Sequence, residues 1–231
     1  MESEGKIKLG YWKIRGLFRH IQYVLEYCGV EYDTKYYEAG SAPDYSGKDW
    51  FDEKFNLGLD FPNLPYLVDG DFKMTETIPI MFYIAEKHMP ELIGETAKGK
   101  GTIKMLMNII HDAKMNISKP CYSQDDKSVV MEAAEKSFEP ISKFLGDKDF
   151  FMGDTMNSDD SSQKPTLPDL YITELITLVL AFDTEKTFAE KFPNIVALQK
   201  RVHALPEIKA FFESDRCPDL PFFYPLAKLH P

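Results

Sequence analysis

The sequence predicts an α/β domain over residues 1–90, followed by an all-α domain over residues 91–231. Strand-like and helix-like hydrophobic patterns alternate in the order βαβ–ββα before Pro90, and no convincing strand pattern follows it. A chain of 231 residues is also long enough for two domains, each with its own hydrophobic core.

The first three elements form a βαβ unit. Residues 6–12 alternate apolar and polar side chains with period two, which is typical of a strand. Apolar residues recur at helical spacing over residues 17–28, and Gly29 can end that helix. Residues 31–38 are rich in tyrosine and threonine, which favours a second strand. Because the three elements follow within about 30 residues, we expect the two strands to be parallel.

A hairpin and a helix complete the N-terminal domain. Apolar runs at residues 64–68 and 72–74 flank Asp69-Gly70, and an Asp-Gly pair between such runs indicates a hairpin. A short helix is predicted at residues 49–55, and helical spacing returns over residues 78–88. The order βαβ–ββα is that of a thioredoxin-like domain with a mixed four-stranded sheet.

The start of the first helix lacks the chemistry of a redox thioredoxin-like domain. Such a domain carries a CxxC pair there, whereas this chain has no cysteine between Tyr11 and Leu17. The ionisable hydroxyl of that segment belongs to Tyr11, at the end of the first strand. Taken alone, a tyrosine at a strand end is more simply explained by packing than by catalysis.

The C-terminal domain is predicted to contain helices at residues 102–121, 128–145, 167–183, 193–203 and 206–214. Thr166 is followed three residues later by Asp169, which is the pattern of a capping box. Residues 157–164 contain few apolar side chains and are expected to form a loop.

Composition excludes several function classes. The chain has 27 basic and 37 acidic residues, and a net charge of −10 argues against binding to nucleic acids or anionic membranes. Its most apolar segment, residues 170–182, is shorter than the ~20 residues that span a bilayer. The three cysteines form no CxxC pair and the five histidines are dispersed, so we expect reduced thiols, a cytoplasmic location and no metal site.

The segment before the helix of residues 78–88 can bind an amino-acid head group. Thr77 suits an N-cap, and the free N–H groups of the first helical turn attract a carboxylate. Glu76 can pair with an ammonium group. A well-capped helix explains Thr77 equally well, so both interpretations stay open.

Two further pairs have a structural and a binding interpretation. Leu64 precedes Pro65 at the start of a strand, where its backbone can face a peptide-like ligand; residue statistics alone favour a trans bond between them. Trp50 and Lys54 are four residues apart on one helix face, and both can donate to a carboxylate. A turn proline and an ordinary surface helix account for the same residues.

Four segments together carry a specific resemblance. They are Leu9-Gly10-Tyr11-Trp12-Lys13-Ile14-Arg15-Gly16-Leu17, Ala42-Pro43-Asp44-Tyr45, Trp50-Phe51-Asp52-Glu53-Lys54-Phe55 and Gly58-Leu59-Asp60-Phe61-Pro62-Asn63-Leu64-Pro65-Tyr66-Leu67. The sequence resembles the cytosolic glutathione transferases of the mu class, and the likeness extends over nearly the whole chain. It implies a detoxifying transferase with glutathione as co-substrate and no other cofactor.

The resemblance implies a role for individual residues. Tyr11 matches the tyrosine that donates a hydrogen bond to the glutathione sulfur, and Pro65 matches a cis-proline. Asp112 matches an acid that reaches the glutathione of the other subunit, and Phe61 matches an aromatic key that inserts into that subunit of a homodimer. The other implied glutathione-binding residues are Trp12, Trp50, Lys54, Asn63, Leu64, Glu76 and Thr77. The implied electrophile-site residues are Tyr122, Phe223 and Tyr224, with Tyr122 also catalytic.

The chain departs from the mu-class pattern at several positions. Glu76-Thr77 stands where Gln-Ser is usual, and Gly47 and Glu86 stand where arginines are usual. Pro120 removes a helical hydrogen bond beside Tyr122 and is expected to kink the helix and alter the electrophile pocket. The stretch 157–164 is an insertion, and a few extra residues precede the first strand.

Conjugation of glutathione to hydrophobic electrophiles is therefore the expected activity. A tyrosine that donates to sulfur favours the nucleophilic thiolate. One alternative is a non-catalytic relative that binds hydrophobic ligands or acts as a scaffold; another is a glutathione-dependent isomerase or peroxidase. Retention of Tyr11, Asn63 and Thr77 favours an enzyme, because a scaffold has no need of them.

Overall fold

A four-stranded mixed sheet forms the centre of the N-terminal part. The computed structural model describes residues 6–153 and 164–231. Its strands are β1 (Ile7–Trp12), β2 (Tyr32–Tyr37), β3 (Tyr66–Asp69) and β4 (Phe72–Thr75). They lie in the order β2-β1-β3-β4, with β1 parallel to β2 and every other neighbouring pair antiparallel. The predicted thioredoxin-like sheet is confirmed, including the tight turn between β3 and β4.

Helices are the other main regular elements of the described chain. The N-terminal helices are α1 (Phe18–Tyr27), α2 (Lys48–Phe51) and α3 (Thr77–His88). The remaining helices are α4 (Ala97–Ser123), α5 (Lys127–Leu145), α6 (Leu167–Phe182), α7 (Thr187–Lys191), α8 (Pro193–His203) and α9 (Pro206–Phe212). All five predicted C-terminal helices are present, whereas α7 and a 3₁₀ helix at Pro90–Ile93 were not predicted. The division of domains at residue 90 stays a prediction.

A buried ion pair joins the N-terminal part to the helical part. Arg15, in the turn between β1 and α1, contacts Glu174 of α6 through Nε at 2.8 Å and Nη2 at 2.9 Å. The Tyr23 hydroxyl donates to the same carboxylate at 3.4 Å. Because an unpaired buried carboxylate is costly, this pair holds the turn beside Tyr11 in a fixed place against α6.

The predicted capping box at the start of α6 is confirmed. The Asp169 carboxylate accepts hydrogen bonds from the backbone N–H of Thr166 at 2.8 Å and from its hydroxyl at 2.7 Å. It also accepts the Phe151 N–H at 2.9 Å. Of the predicted loop at residues 157–164, residues 157–163 lie outside the described residues, as do residues 1–5.

Helix α4 continues through Pro120 to Ser123. The C-terminal tail forms hydrogen bonds with this last turn. The backbone N–H groups of Lys228 and Leu229 both donate to the Cys121 carbonyl, at 2.8 and 3.0 Å. The tail therefore packs against the helix that carries Tyr122. Within the described residues, no helix combines the length and apolar character that crossing a membrane requires.

Candidate functional site

The Tyr11 hydroxyl lies buried between the end of β1 and the start of α1. Its oxygen accepts the backbone N–H of Leu17 at 3.0 Å. Burial raises the pKa of Tyr11 far above its usual value, and the Leu17 N–H opposes this only in part. Tyr11 is therefore protonated at neutral pH, and its proton remains available for donation to a ligand.

Gly16 makes room for this hydroxyl. Its φ is +38°, a left-handed conformation that favours glycine. A Cβ at this position would lie 2.7 Å from the Tyr11 oxygen. We did not identify Gly16 as a functional residue from the sequence; its position between Arg15 and Leu17, in the turn after Tyr11, is the available signal.

Leu64 and Pro65 precede β3, and the peptide bond between them is cis. Residue statistics favoured trans, whereas the family resemblance implied cis, and the resemblance was correct. The ladder between β1 and β3 begins at Tyr66, so Leu64 lies outside it. A second cis bond joins Ala42 to Pro43 and was not predicted.

The N-cap of α3 is Glu76, and the prediction of Thr77 as N-cap was wrong. The Glu76 carbonyl already accepts the first helical hydrogen bond, from Ile80 at 3.0 Å, and Thr77 is the first helical residue. Glu76 has a φ of +77°, which is unusual for a residue with a side chain. Its carboxylate accepts a hydrogen bond from the Asn63 amide at 2.9 Å.

The Thr77 hydroxyl has no partner of its own. Its Oγ1 is buried and makes no hydrogen bond within the described residues. An unpaired buried hydroxyl at a helix start is costly unless a ligand or water completes it. With the free N–H groups of the same turn, it makes this end of α3 suitable for a carboxylate.

Trp50 and Lys54 have different surroundings. Trp50 is buried, with its ring 5.1 Å from Tyr37 and 6.2 Å from Tyr66. The Lys54 ammonium lies over the ring of Phe55 at 5.4 Å. The predicted helix of residues 49–55 is shorter than expected, because α2 ends at Phe51, and the surface interpretation of Trp50 was wrong.

The neighbours of residue 47 explain why it is a glycine in this chain and not the arginine that is usual in the family. A Cβ at this position would lie 2.7 Å from the ring of Phe51 and 3.1 Å from that of Trp12. Phe51 therefore occupies the space into which a side chain at residue 47 would point. Glu86, the other departure from an expected arginine, lies exposed on α3.

Four aromatic residues, two of them in the C-terminal tail, contact one another in pairs. The ring of Trp12 lies 5.0 Å from Tyr224, and that of Tyr122 lies 5.7 Å from Phe223. The Tyr122 oxygen accepts the Tyr224 N–H at 3.2 Å, and burial raises the pKa of Tyr122. The Tyr224 hydroxyl donates to the carbonyl of Tyr45 at 2.7 Å, which joins the tail to the loop before α2.

A cavity of about 200 Å³ lies beside this cluster, with Trp12, Ile14 and Tyr224 among its walls. Its aromatic walls suit an apolar group.

Two residues that the family resemblance assigns to the site, Asp112 and Phe61, lie on the exposed surface. Asp112 is exposed on α4 and makes no hydrogen bond to a described residue, and Phe61 is 81% exposed.

Comparison with known proteins identifies two matching families. Residues 7–86 match the glutathione S-transferase N-terminal domain, and residues 111–215 match the glutathione S-transferase C-terminal domain. The chain is 38% identical to glutathione S-transferase Mu 4 of Mus musculus over 222 residues, covering 95% of this chain and 96% of that protein. It is 37% identical to glutathione S-transferase Mu 2 of Homo sapiens over 222 residues, with the same coverage.

Solved structures share the fold. The crystal structure of the glutathione S-transferase Blo t 8 has a TM-score of 0.81 at 27% identity, covering 97% of this chain and 100% of that chain. The structure of Na-GST-3 from Necator americanus, which is described as monomeric, has a TM-score of 0.73 at 22% identity, covering 93% and 98%. At that identity the second likeness concerns the fold alone.

Proposed function

The chain belongs to the mu class of the glutathione S-transferase family, and from this premise we propose that Tyr11 activates glutathione for attack on hydrophobic electrophiles. The observation that carries the proposal is the Tyr11 hydroxyl itself. It is buried and protonated, its oxygen is occupied by the Leu17 N–H, and Gly16 leaves space beside it. It donates a hydrogen bond to the glutathione sulfur and keeps its proton.

This hydrogen bond favours the thiolate. A free thiol has a pKa of about 8.5, and the thiolate is the nucleophile. Each unit by which the pKa of the thiol falls represents about 1.36 kcal/mol and up to a tenfold gain in thiolate at neutral pH. The tyrosine itself does not ionise, because burial and a neighbouring thiolate both raise its pKa.

The remaining glutathione contacts come from three segments. Thr77 and the first turn of α3 bind the γ-glutamyl carboxylate, which completes the unpaired hydroxyl. Glu76, held by Asn63, binds the γ-glutamyl ammonium. The backbone of Leu64, fixed by cis-Pro65, pairs with the cysteinyl peptide unit, while Trp50, Lys54 and Trp12 lie along the glycyl end.

The electrophile binds between Trp12 and the C-terminal tail. Phe223 and Tyr224 supply its apolar walls. The Tyr122 oxygen accepts the Tyr224 N–H, so its proton remains available to stabilise charge that develops on the electrophile. Because burial raises the pKa of Tyr122, the phenol stays protonated during turnover.

A homodimer completes the site. Phe61 projects into solvent from the loop before Asn63, and Met105 and Ile109 are exposed apolar residues of α4. Phe61 inserts between helices of the partner, and Asp112 reaches the partner's glutathione ammonium. The cysteines are free, which agrees with the proposed cytoplasmic location.

Steady-state turnover with glutathione and a panel of electrophiles tests the proposal. We expect conjugation by the wild type and a loss of rate in Tyr11→Phe, with binding of glutathione largely kept. A wild type that binds glutathione without turning over any electrophile would contradict the enzyme and favour the ligand-binding alternative.

A further inference from the structure

Two aromatic rings occupy the space beside residue 47. Gly47 is the N-cap of α2, and a Cβ at this position would lie 2.7 Å from the Phe51 ring and 3.1 Å from the Trp12 ring. An arginine, which the family resemblance implies here, is therefore incompatible with the observed position of Phe51. The Phe51 ring is itself 60% exposed, so it presents an apolar surface to solvent where a cation is usual.

Two lysines next to this position already have a counter-charge. Lys48, the first residue of α2, forms an ion pair with Asp52 one helical turn away. Lys13, which follows β1, forms an ion pair with Glu38 at 2.6 Å. A ligand carboxylate would have to compete with these two partners for either ammonium group.

Lys54 is the second basic residue of the segment 38–54, and it faces aromatic rings. It has no carboxylate partner among the described residues, and its ammonium lies 5.4 Å from the centre of the Phe55 ring and 5.9 Å from that of Phe51. Residues 38–54 contain five acidic and two basic residues, which gives a net charge of −3. A single cation within an acidic segment is a weak site for a further carboxylate.

The part of the co-substrate that faces these residues is the glycyl end. In the proposed complex it lies along Trp12, Trp50 and Lys54, and Gly47 precedes the helix that carries Trp50. Resting on that proposed function, we infer that this end of the site takes an uncharged, apolar group, and that Gly47 and Phe51 determine the preference. The co-substrate class is then γ-glutamylcysteinyl thiols that do not require a C-terminal carboxylate.

The two ends of the thiol are thus recognised by different forces. The γ-glutamyl end keeps its charged contacts, from Glu76 and from the first turn of α3 with the unpaired Thr77 hydroxyl. At the other end, an ester covers the exposed face of Phe51 and removes that apolar surface from water. A carboxylate in the same place loses part of its hydration beside the ring without gaining a fixed cation.

Two thiols that differ only at the glycyl end test the inference. The probes are glutathione and its glycyl monoethyl ester, each with saturating 1-chloro-2,4-dinitrobenzene at one pH. The kcat/KM of each thiol is divided by its uncatalysed rate constant, and the quotient for the ester over that for glutathione is the ester ratio. We expect an ester ratio of at least one in the wild type. A lower value overturns the inference, while turnover of glutathione leaves the proposed function standing.

Three variants assign the preference to particular residues. Phe51→Ala removes the apolar face and should lower the ester ratio at least threefold, by slowing the ester. Phe51→Ala combined with Gly47→Arg supplies both space and a cation, and should lower the ratio at least tenfold. Phe144→Ala, which removes a partly exposed ring of α5, is the matched control and should leave the ratio unchanged.

The remaining outcomes separate the inference from the proposed function. An unchanged ester ratio in Phe51→Ala overturns the inference, and so does a tenfold loss of kcat/KM for glutathione in Lys54→Met, because Lys54 would then select the carboxylate by itself. If the wild type turns over neither thiol, the proposed function fails. Should the double variant not fold, the wild-type ratio and Phe51→Ala decide.

Discussion

The backbone N–H of Leu17 donates to the Tyr11 hydroxyl oxygen at 3.0 Å. Leu17 is the N-cap of α1, so the turn from β1 into α1 aims this N–H at the tyrosine. The hydroxyl oxygen thereby accepts a hydrogen bond from the protein, while its O–H can still donate a hydrogen bond to a ligand. The position of a catalytic proton thus depends on the geometry of a five-residue turn.

Gly16→Ala should disturb that geometry. The added Cβ would lie 2.7 Å from the Tyr11 oxygen, so the ring must move. We expect kcat to fall roughly 10- to 100-fold, because small misplacements of a catalytic group are costly. The matched control is Gly70→Ala, which has a similar positive φ but no atom within 4 Å of the new Cβ. Equal kinetics in the two variants would contradict the spatial role of Gly16.

Glu76→Gln should raise the KM for glutathione about tenfold, because a hydrogen bond to a charged group contributes roughly 1.5–3 kcal/mol. The Asn63 amide can still donate to the glutamine oxygen, so the local geometry is retained. We expect kcat to change little, since this contact is the same in the ground and transition states. Glu207→Gln, an exposed residue of α9, is the control. A fall in kcat alone would be inconsistent with the proposed binding role.

Phe61→Ala should weaken the dimer. Burying one phenylalanine contributes about 1.5–3 kcal/mol, and a two-fold interface uses it twice. Sedimentation over a range of protein concentrations measures the change, and Phe55→Ala, which removes a ring that is 76% exposed, is the control. A wild-type monomer with full activity would refute the shared site. The structure of Na-GST-3, which is described as monomeric, shows that this fold also occurs as a monomer.

Asp169 gives a pH dependence of stability. Burial raises its pKa from 3.8 to about 6, although three hydrogen bonds to the carboxylate oppose the rise. The folded state therefore binds the Asp169 proton more tightly than the unfolded state does. The protonated carboxyl thus stabilises the fold below pH 4, and this contribution is lost as pH rises to about 6. Relative to Asp169→Asn, the wild type should lose up to roughly 3 kcal/mol over that range.

Urea unfolding of both proteins from pH 4 to pH 7 measures this difference. Asp147→Asn, at an exposed position, should follow the wild type throughout. A wild type that gains stability relative to Asp169→Asn between pH 4 and pH 6 would mean that the hydrogen bonds outweigh burial, contrary to this prediction.

Features that depend on neighbouring residues were predictable from the sequence. The period-two pattern of β1, the Asp69-Gly70 turn and the Thr166–Asp169 box each depend on residues fewer than eight positions apart. Helix α7 has only five residues, which is too short for a hydrophobic period to be seen. The cap of α3 was assigned one residue late, because nothing in a glutamate side chain signals a positive φ.

The candidate site was less predictable than the fold. Tyr11 taken alone was explained by packing, and its role was expected only from the resemblance of the whole segment to a known family. Trp50 is polar-tipped and lies in a polar stretch, yet it packs between Tyr37 and Tyr66.

Titration of the glutathione thiol in its complex with the enzyme tests the central claim most directly. The ultraviolet absorbance of the thiolate, followed against pH in wild type and Tyr11→Phe, gives the pKa of the bound thiol in each. We predict a value at least one unit below the ~8.5 of a free thiol in the wild type, and a return toward that value in Tyr11→Phe. The same low pKa in both proteins would contradict the assignment of Tyr11 as the donor to sulfur.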